Sequence, residues 1–383
     1  MRSFLSPQPG LLVTGALGFG LMGVGQSVYG PALPAWMRDF GLSQTAAGVI
    51  LSAHWVGAIL AVVAMLRIGH RFPAWAAIAL AAGGQTLVAF GPAWPVKIAG
   101  AALVGIGGGF ATVIFNRRVL SAFASRGPAM VGAINALYGI GAIGGPLIYL
   151  ALDADPSRSY ALTAATSLIL CIYAWRAVPA EAALAVAAAQ DNTALSAQVS
   201  ITPPTILAIG GIAIGLESIL VGLGPSALIA TGLTETRAAG LLSGFFVCFL
   251  VARLSLLWLA SRVASLRLLA AALMVTLVFA LCATLSPALF FVLCGVPAGL
   301  YFPSYFVTAT ARLGHASHVA PVIIVAGMAG GVAAPLIAGA AMAIAAGPGL
   351  AFFLTVASGA LVSLVLALRG LSRPASVTFT GRA

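Results

Sequence analysis

Charge is scarce in this chain. Asp, Glu, Lys and Arg make up 7% of its 383 residues, against about 25% in soluble domains. Acids are the rarer sign, 7 against 18 Lys plus Arg. So little charge excludes a water-soluble globular fold. Cysteine is scarce too. Cys171, Cys248, Cys282 and Cys294 all fall inside apolar runs with no CxxC spacing, which argues for packing and against a disulfide framework or a metal centre. HExxH, GxSxG and Walker A patterns are absent, so neither an enzyme nor an ATP-driven pump is expected, and no cofactor. The match Gly18-Phe-Gly20-Leu-Met-Gly23 to GxGxxG lies inside an apolar run with no strand before it, which excludes a dinucleotide site. No cleavable signal peptide is evident.

Apolar sequence is what the chain has. It is 61% hydrophobic, with a mean hydropathy of +1.12. The apolar runs are continuous and about 20 residues long, the length that crosses a bilayer core as a helix; strands of a barrel would alternate. We expect an all-α membrane protein with twelve spans, at residues 10–31, 45–66, 74–92, 96–116, 129–152, 159–178, 204–230, 236–260, 265–285, 288–311, 319–345 and 348–369. The longest polar gap, 179–203, separates six spans from six. It reads as a cytoplasmic linker between an N-terminal bundle (1–178) and a C-terminal bundle (204–383).

The net charge of +11 is read as topology and not as a nucleic-acid surface. With both termini inside, 13 of the 18 basic residues fall on the cytoplasmic side, among them Arg67, Arg71, Arg117, Arg118, Arg126, Arg262 and Arg312. Arg38, Lys97, Arg158 and Arg237 fall outside, and Arg253 is left within the membrane. Basic residues favour the cytoplasmic face, so the expected orientation is N-in and C-in, in the cell inner membrane.

The two halves repeat. Gly41-Leu-Ser-Gln-Thr-Ala-Ala-Gly-Val-Ile-Leu-Ser52 lies over Gly232-Leu-Thr-Glu-Thr-Arg-Ala-Ala-Gly-Leu-Leu-Ser243 at an offset of 191. Gly141-Ala-Ile-Gly-Gly-Pro-Leu-Ile148 lies over Gly330-Gly-Val-Ala-Ala-Pro-Leu-Ile337 at an offset of 189. The first offset also sets Gln26-Ser27 on Glu217-Ser218 and Arg71 on Arg262. Parallel repeats of six helices mark transporters whose substrate site lies between the halves at mid-membrane.

On these features the chain resembles the major facilitator superfamily over nearly its whole length. Arg67-Ile-Gly69-His-Arg71 is similar to the family's short basic loop between helices two and three, with Leu66 where an acid usually stands. Gly132, Gly141, Gly145 and Pro146 keep the fifth-helix spacing of many antiporters of the superfamily, without the trailing glycine pair. The fourth helix lacks the arginine that drug–proton antiporters carry upstream of Gly105. Asn116, Asn135, the Glu217 helix and Arg253 resemble the fucose–proton symporter branch. The resemblance implies two pseudo-symmetric six-helix bundles, a monomer, and a gate role for Arg67, Gly69, Arg71 and Arg262.

Glu217 is the one charge in the run 206–230. A buried ionisable group in a membrane is costly and marks a functional position by default. Glu217 can carry a proton or hold substrate; the bland alternative is an ion-pair partner. Arg253 can pair with it or snorkel to the interface. His54, mid-way along the second span, can bind substrate or carry a proton, or simply bond a neighbouring helix. Gln26, Asn116, Asn135, Tyr138 and Tyr301 suit a hydroxyl-rich solute, or glue helices together.

The function expected is secondary active transport of a small polar organic solute, sugar-like or carboxylated, coupled to protons and carried through the lipid bilayer. Proton-coupled efflux of amphipathic compounds is a second reading. A non-transporting membrane receptor or assembly factor is a third, of another class.

Overall fold

The computed structural model describes residues 8–68, 72–123, 126–178, 202–314, 316 and 319–372. Residues 179–201 of the expected linker lie outside the described residues, as do Gly69 and Arg71. Every described element is helical: α1 (Pro9–Phe40), α2 (Gln44–Ile68), α3 (Ala74–Phe90), α4 (Trp94–Ala122), α5 (Gly127–Ala151), α6 (Pro156–Ala177), α7 (Pro203–Gly222), α8 (Gly224–Ala230), α9 (Glu235–Leu259), α10 (Ser265–Ala283), α11 (Pro287–Leu293), α12 (Gly295–Leu313), α13 (Val319–Ile344) and α14 (Pro348–Ser372). Among the described residues, eleven stretches are long and apolar enough to cross a membrane, with Pro287–Leu313 taken as one. Ala74–Phe90 is a shorter apolar helix of 17 residues, about 26 Å long at 1.5 Å per residue.

Local chemistry sets the helix ends. Asp155 caps α6, its carboxylate accepting from the backbone N–H of Ser157 at 2.7 Å and of Arg158 at 3.2 Å. Thr234 caps α9 by accepting from Arg237 N–H at 3.2 Å. Such caps satisfy N–H groups that have no partner within the helix. Gly41 closes α1 at φ +61°, a left-handed turn that glycine adopts without steric cost.

Two spans differ from the sequence expectation. The run 204–230 is a helix broken at Leu223, and 288–311 is broken at Cys294. The cause is proline. Pro225 has no N–H to offer the carbonyl of Val221, and Pro297 none for Leu293, so the ladder fails there. Conversely α1 runs on to Phe40 through Pro31 and Pro34, about nine residues past its expected end. The extra turns hold Trp36, 1% exposed, and this burial outweighs the prolines.

Helix α1 packs on α5 and α6, α2 on α4, and α3 on α4 and α6. In the second group α7 packs on α13, α9 on α12, and α10 on α12 and α14. The groups meet through α2 with α13 and α5 with α9. The same crossings recur at the repeat offsets. A side chain on Gly141 would strike the Gly20 carbonyl, and one on Gly330 would strike the Gly211 carbonyl. Likewise Gly105 lies on the carbonyl of His54 and Gly295 on that of Phe245. Small residues let membrane helices approach this closely.

Position 30 of α1 touches Val221 and Gly222 late in α7, whereas positions 359 and 363 of α14 touch 212–216 and 209 in turn. Helix α14 therefore runs against α1 and α7, and it ends where α1 begins. We call this the terminal end and the opposite one the far end. One apolar core runs through both groups, whereas a second, around Phe19, Met65, Phe110 and Phe115, is confined to α1–α6 and the residues that follow them.

Candidate functional site

The far half is sealed. Among the described residues, hydrogen bonds between the two groups run from the far rim to mid-helix. Arg38 pairs with Glu235 at the rim, with Nη2 to Oε2 at 3.3 Å. Below it Ser52 Oγ donates to Val332 O at 2.8 Å, and Ser243 Oγ donates to Ile143 O at 2.9 Å. Deepest, Trp55 Nε1 donates to Ser218 Oγ at 2.9 Å.

Beneath this seal a cavity lies between the groups. Gln26 and Tyr29 of α1, His54 and Trp55 of α2 and Tyr138 of α5 line it from one side. Glu217, Ser218, Val221 and Gly222 of α7, with Phe246 of α9, line it from the other. The break after α7 shapes this wall. Val221 O, freed by Pro225, rests against Gly30, where a side chain would not fit.

Four of the sequence candidates meet here: Gln26, His54, Tyr138 and Glu217. Tyr138 OH donates to Gln26 Oε1 at 2.6 Å. His54 sits edge-on to Tyr29, ring centroids 5.6 Å apart, and its buried Nδ1 has no partner. Glu217 Oε2 and Tyr29 OH are also buried without a partner. In a bundle interior an orphaned polar atom is costly. Several at one cavity form a set of unused donors and acceptors.

The other candidates lie elsewhere. Asn135 Nδ2 donates to Asn116 Oδ1 at 3.1 Å and to Val131 O at 2.8 Å, a bonded pair outside the cavity lining. Tyr301, 0% exposed, is hydrogen-bonded to Thr276 within the second group. Arg253 stacks its guanidinium on Phe249, 4.6 Å from the ring centroid, a cation–π contact. No salt bridge joins it to Glu217, and its Nε is buried without a partner. Arg67 sits in the last turn of α2, and Arg262 stacks on Trp258 at 3.9 Å.

The sequence did not single out Tyr29, Trp55 and Phe246, because an aromatic in mid-span looks like any core residue. One signal was available: the 191 offset that sets Gln26 on Glu217 also sets Trp55 on Phe246, and all four line the cavity.

Comparison with known proteins agrees with this architecture. A mutant form of the nucleoside transporter NupG superposes with a TM-score of 0.73 at 15% identity, over 95% of this chain and 98% of that one. The E. coli fucose:proton symporter FucP, also as a mutant, gives 0.63 at 19% identity, over 96% and 99%. A bacterial homologue of the human lysosomal transporter Spinster, inward-facing and occupied, gives 0.67 at 12%, over 96% and 95%. No curated protein sequence matches. The family model described as Major Facilitator Superfamily matches residues 15–335. A non-enzymatic membrane carrier for a small molecule, the chain belongs to the major facilitator superfamily.

Proposed function

We propose that this protein is a secondary active transporter that moves a neutral, hydroxylated ring solute, sugar-like in chemistry, by alternating access coupled to protons. The observation that carries the reading is one cavity walled by both groups of helices and lined by Glu217, His54 and Tyr29, whose Oε2, Nδ1 and OH are buried without a partner. Rings of Tyr29, Trp55, Tyr138 and Phe246 offer flat apolar faces, and Gln26 and Ser218 offer hydrogen bonds. A carboxylated solute fits less well, because Glu217 would repel it and no cation is in the lining. Efflux of bulky amphipathic compounds fits less well too, since polar groups occupy both walls. Fucose and nucleosides are the cargoes in the names of two similar structures; both are hydroxylated rings, but the choice here rests on the lining.

Glu217 is the proposed proton site, with His54 facing the same cavity. An ionised carboxylate resists enclosure in a dry bundle. A proton taken from the open side, or a hydrogen bond from a solute hydroxyl, removes that resistance. The loaded cavity can then close on one side and open on the other, and the empty, ionised one cannot. Twelve crossings suit this cycle, with both termini inside, bundles at 1–178 and 204–383, and residence in the inner membrane as a monomer. The repeated crossings at Gly20–Gly141 and Gly211–Gly330 support two bundles that move as units.

The test is uptake into proteoliposomes of a panel of neutral sugars, nucleosides, carboxylates and cationic drugs, with and without an imposed pH gradient. Gradient-driven accumulation of a neutral ring compound supports the assignment. Transport of carboxylates or drugs alone overturns the solute class, and no flux of any compound favours a receptor or assembly role.

A further inference from the structure

The two sequence blocks that repeat between the halves are the two faces of the far seal. The first block ends at Ser52 in one half and at Ser243 in the other; the second spans 141–148 and 330–337. In the fold each serine reaches the second block of the opposite half. Ser52 Oγ donates to Val332 O at 2.8 Å, and Ser243 Oγ donates to Ile143 O at 2.9 Å. Both serines are 6% exposed. Both acceptors stand three residues before a proline, Pro335 and Pro146, inside α13 and α5. A proline interrupts the ladder and turns the carbonyls of the preceding turn outward, and side chains of neighbouring membrane helices take them up. The bond made by α2 on α13 is therefore repeated by α9 on α5, one contact used twice.

We propose that Ser52 and Ser243 are a matched pair of gating residues that hold the far side shut and let it part symmetrically. The chemistry suits a contact that must break in every cycle. A hydroxyl released from the opposite half can turn to a carbonyl three or four residues back in its own helix. Ser27, Thr86 and Thr112 already do this, to Val24, Ala82 and Gly108. Neither the open nor the closed state then strands a buried charge, which a buried ion pair would do. The pair also ties the gate to the cavity. Ser52 stands one turn above Trp55, which bonds Ser218 beside Glu217.

The experiment reads the seal directly and uses no solute, so it stands apart from the solute and coupling assignments. Thr45 lies at the far rim, with its backbone 3.1 Å from where a side chain on Gly339 would begin. A cysteine introduced by Thr45→Cys is labelled with a maleimide in detergent, and the labelling of the chain without it is subtracted. Ser52→Ala and Ser243→Ala should each speed labelling roughly threefold, and the double variant close to tenfold, as for two separate interhelical hydrogen bonds. Ser52→Thr and Ser243→Thr keep the donor and should label at the parent rate. Unchanged labelling in the double alanine variant overturns the proposal. So does faster labelling in the threonine variants equal to that in the alanine ones, since packing and not the bond would then set the rate.

Discussion

A single methyl group at position 331 should disturb both the seal and the cavity. The Cβ of Gly331→Ala would stand 2.7 Å from Trp55 Cδ2 and 2.8 Å from its Cγ and Cε2. Carbon atoms rest about 3.5–4.0 Å apart, so the indole must retreat by about 1 Å. Its bond to Ser218 is 2.9 Å long, and a shift of that size takes it beyond good hydrogen-bond geometry. Overpacking costs about 1–3 kcal/mol and the lost bond about 1 kcal/mol. Against these stands a gain of about 0.5–1 kcal/mol from replacing glycine within a helix. The net loss is about 2 kcal/mol on those same terms. Gly144→Ala is the control, because nothing lies within 4 Å of its new methyl and only the gain remains. Thermal unfolding in detergent should place Gly331→Ala below the parent and Gly144→Ala level with or above it. Binding of the transported solute should weaken in Gly331→Ala alone, roughly tenfold for 1.4 kcal/mol, because Trp55 is pushed within the cavity wall. If the two variants melt together and bind alike, the placement of Trp55 between the groups is wrong.

Further outcomes separate structural from binding roles. Gly141→Ala and Gly330→Ala strike backbone carbonyls of α1 and α7, so both should lower the melting temperature more than Gly331→Ala and by similar amounts; a large gap between them would contradict the matched crossings. Tyr138→Phe removes the donor to Gln26 in the cavity and should weaken solute binding about fivefold, for a bond of about 1 kcal/mol. Tyr301→Phe removes the bond to Thr276 outside the cavity and should lower stability while solute binding stays at the parent value. Arg38→Ala should change stability by less than about 1 kcal/mol, because Arg38 and Glu235 are 60% and 36% exposed. High salt should mimic it in the parent protein, as thermal unfolding at two ionic strengths would register.

The helices and their repetition were legible because lipid leaves the chain so few options. A continuous apolar run must satisfy its own backbone, and the blocks 41–52 and 232–243 displayed their duplication openly. The breaks at Leu223 and Cys294 were not legible from hydropathy, since Pro225 and Pro297 sit in fully apolar surroundings while Pro31 and Pro34 pass inside an intact helix. The site was half legible. Glu217, His54 and Gln26 stand out as polar residues in apolar runs. Asn116, Asn135 and Tyr301 stand out equally, yet they are used in bonds between helices. Polarity marks a residue that needs a partner; the partner's identity depends on which helices face each other. Trp55 shows the converse, an aromatic whose role lies in one N–H that reaches across to the other group.

The most direct measurement is solute accumulation by proteoliposomes under an imposed proton gradient, comparing the parent protein with Glu217→Gln. The parent should concentrate a neutral ring solute when the gradient is applied. Glu217→Gln, which cannot ionise, should lose accumulation while still exchanging labelled for unlabelled solute across the membrane. Accumulation by Glu217→Gln at the parent level, or a parent that ignores the gradient, would contradict a buried carboxyl as the coupling element.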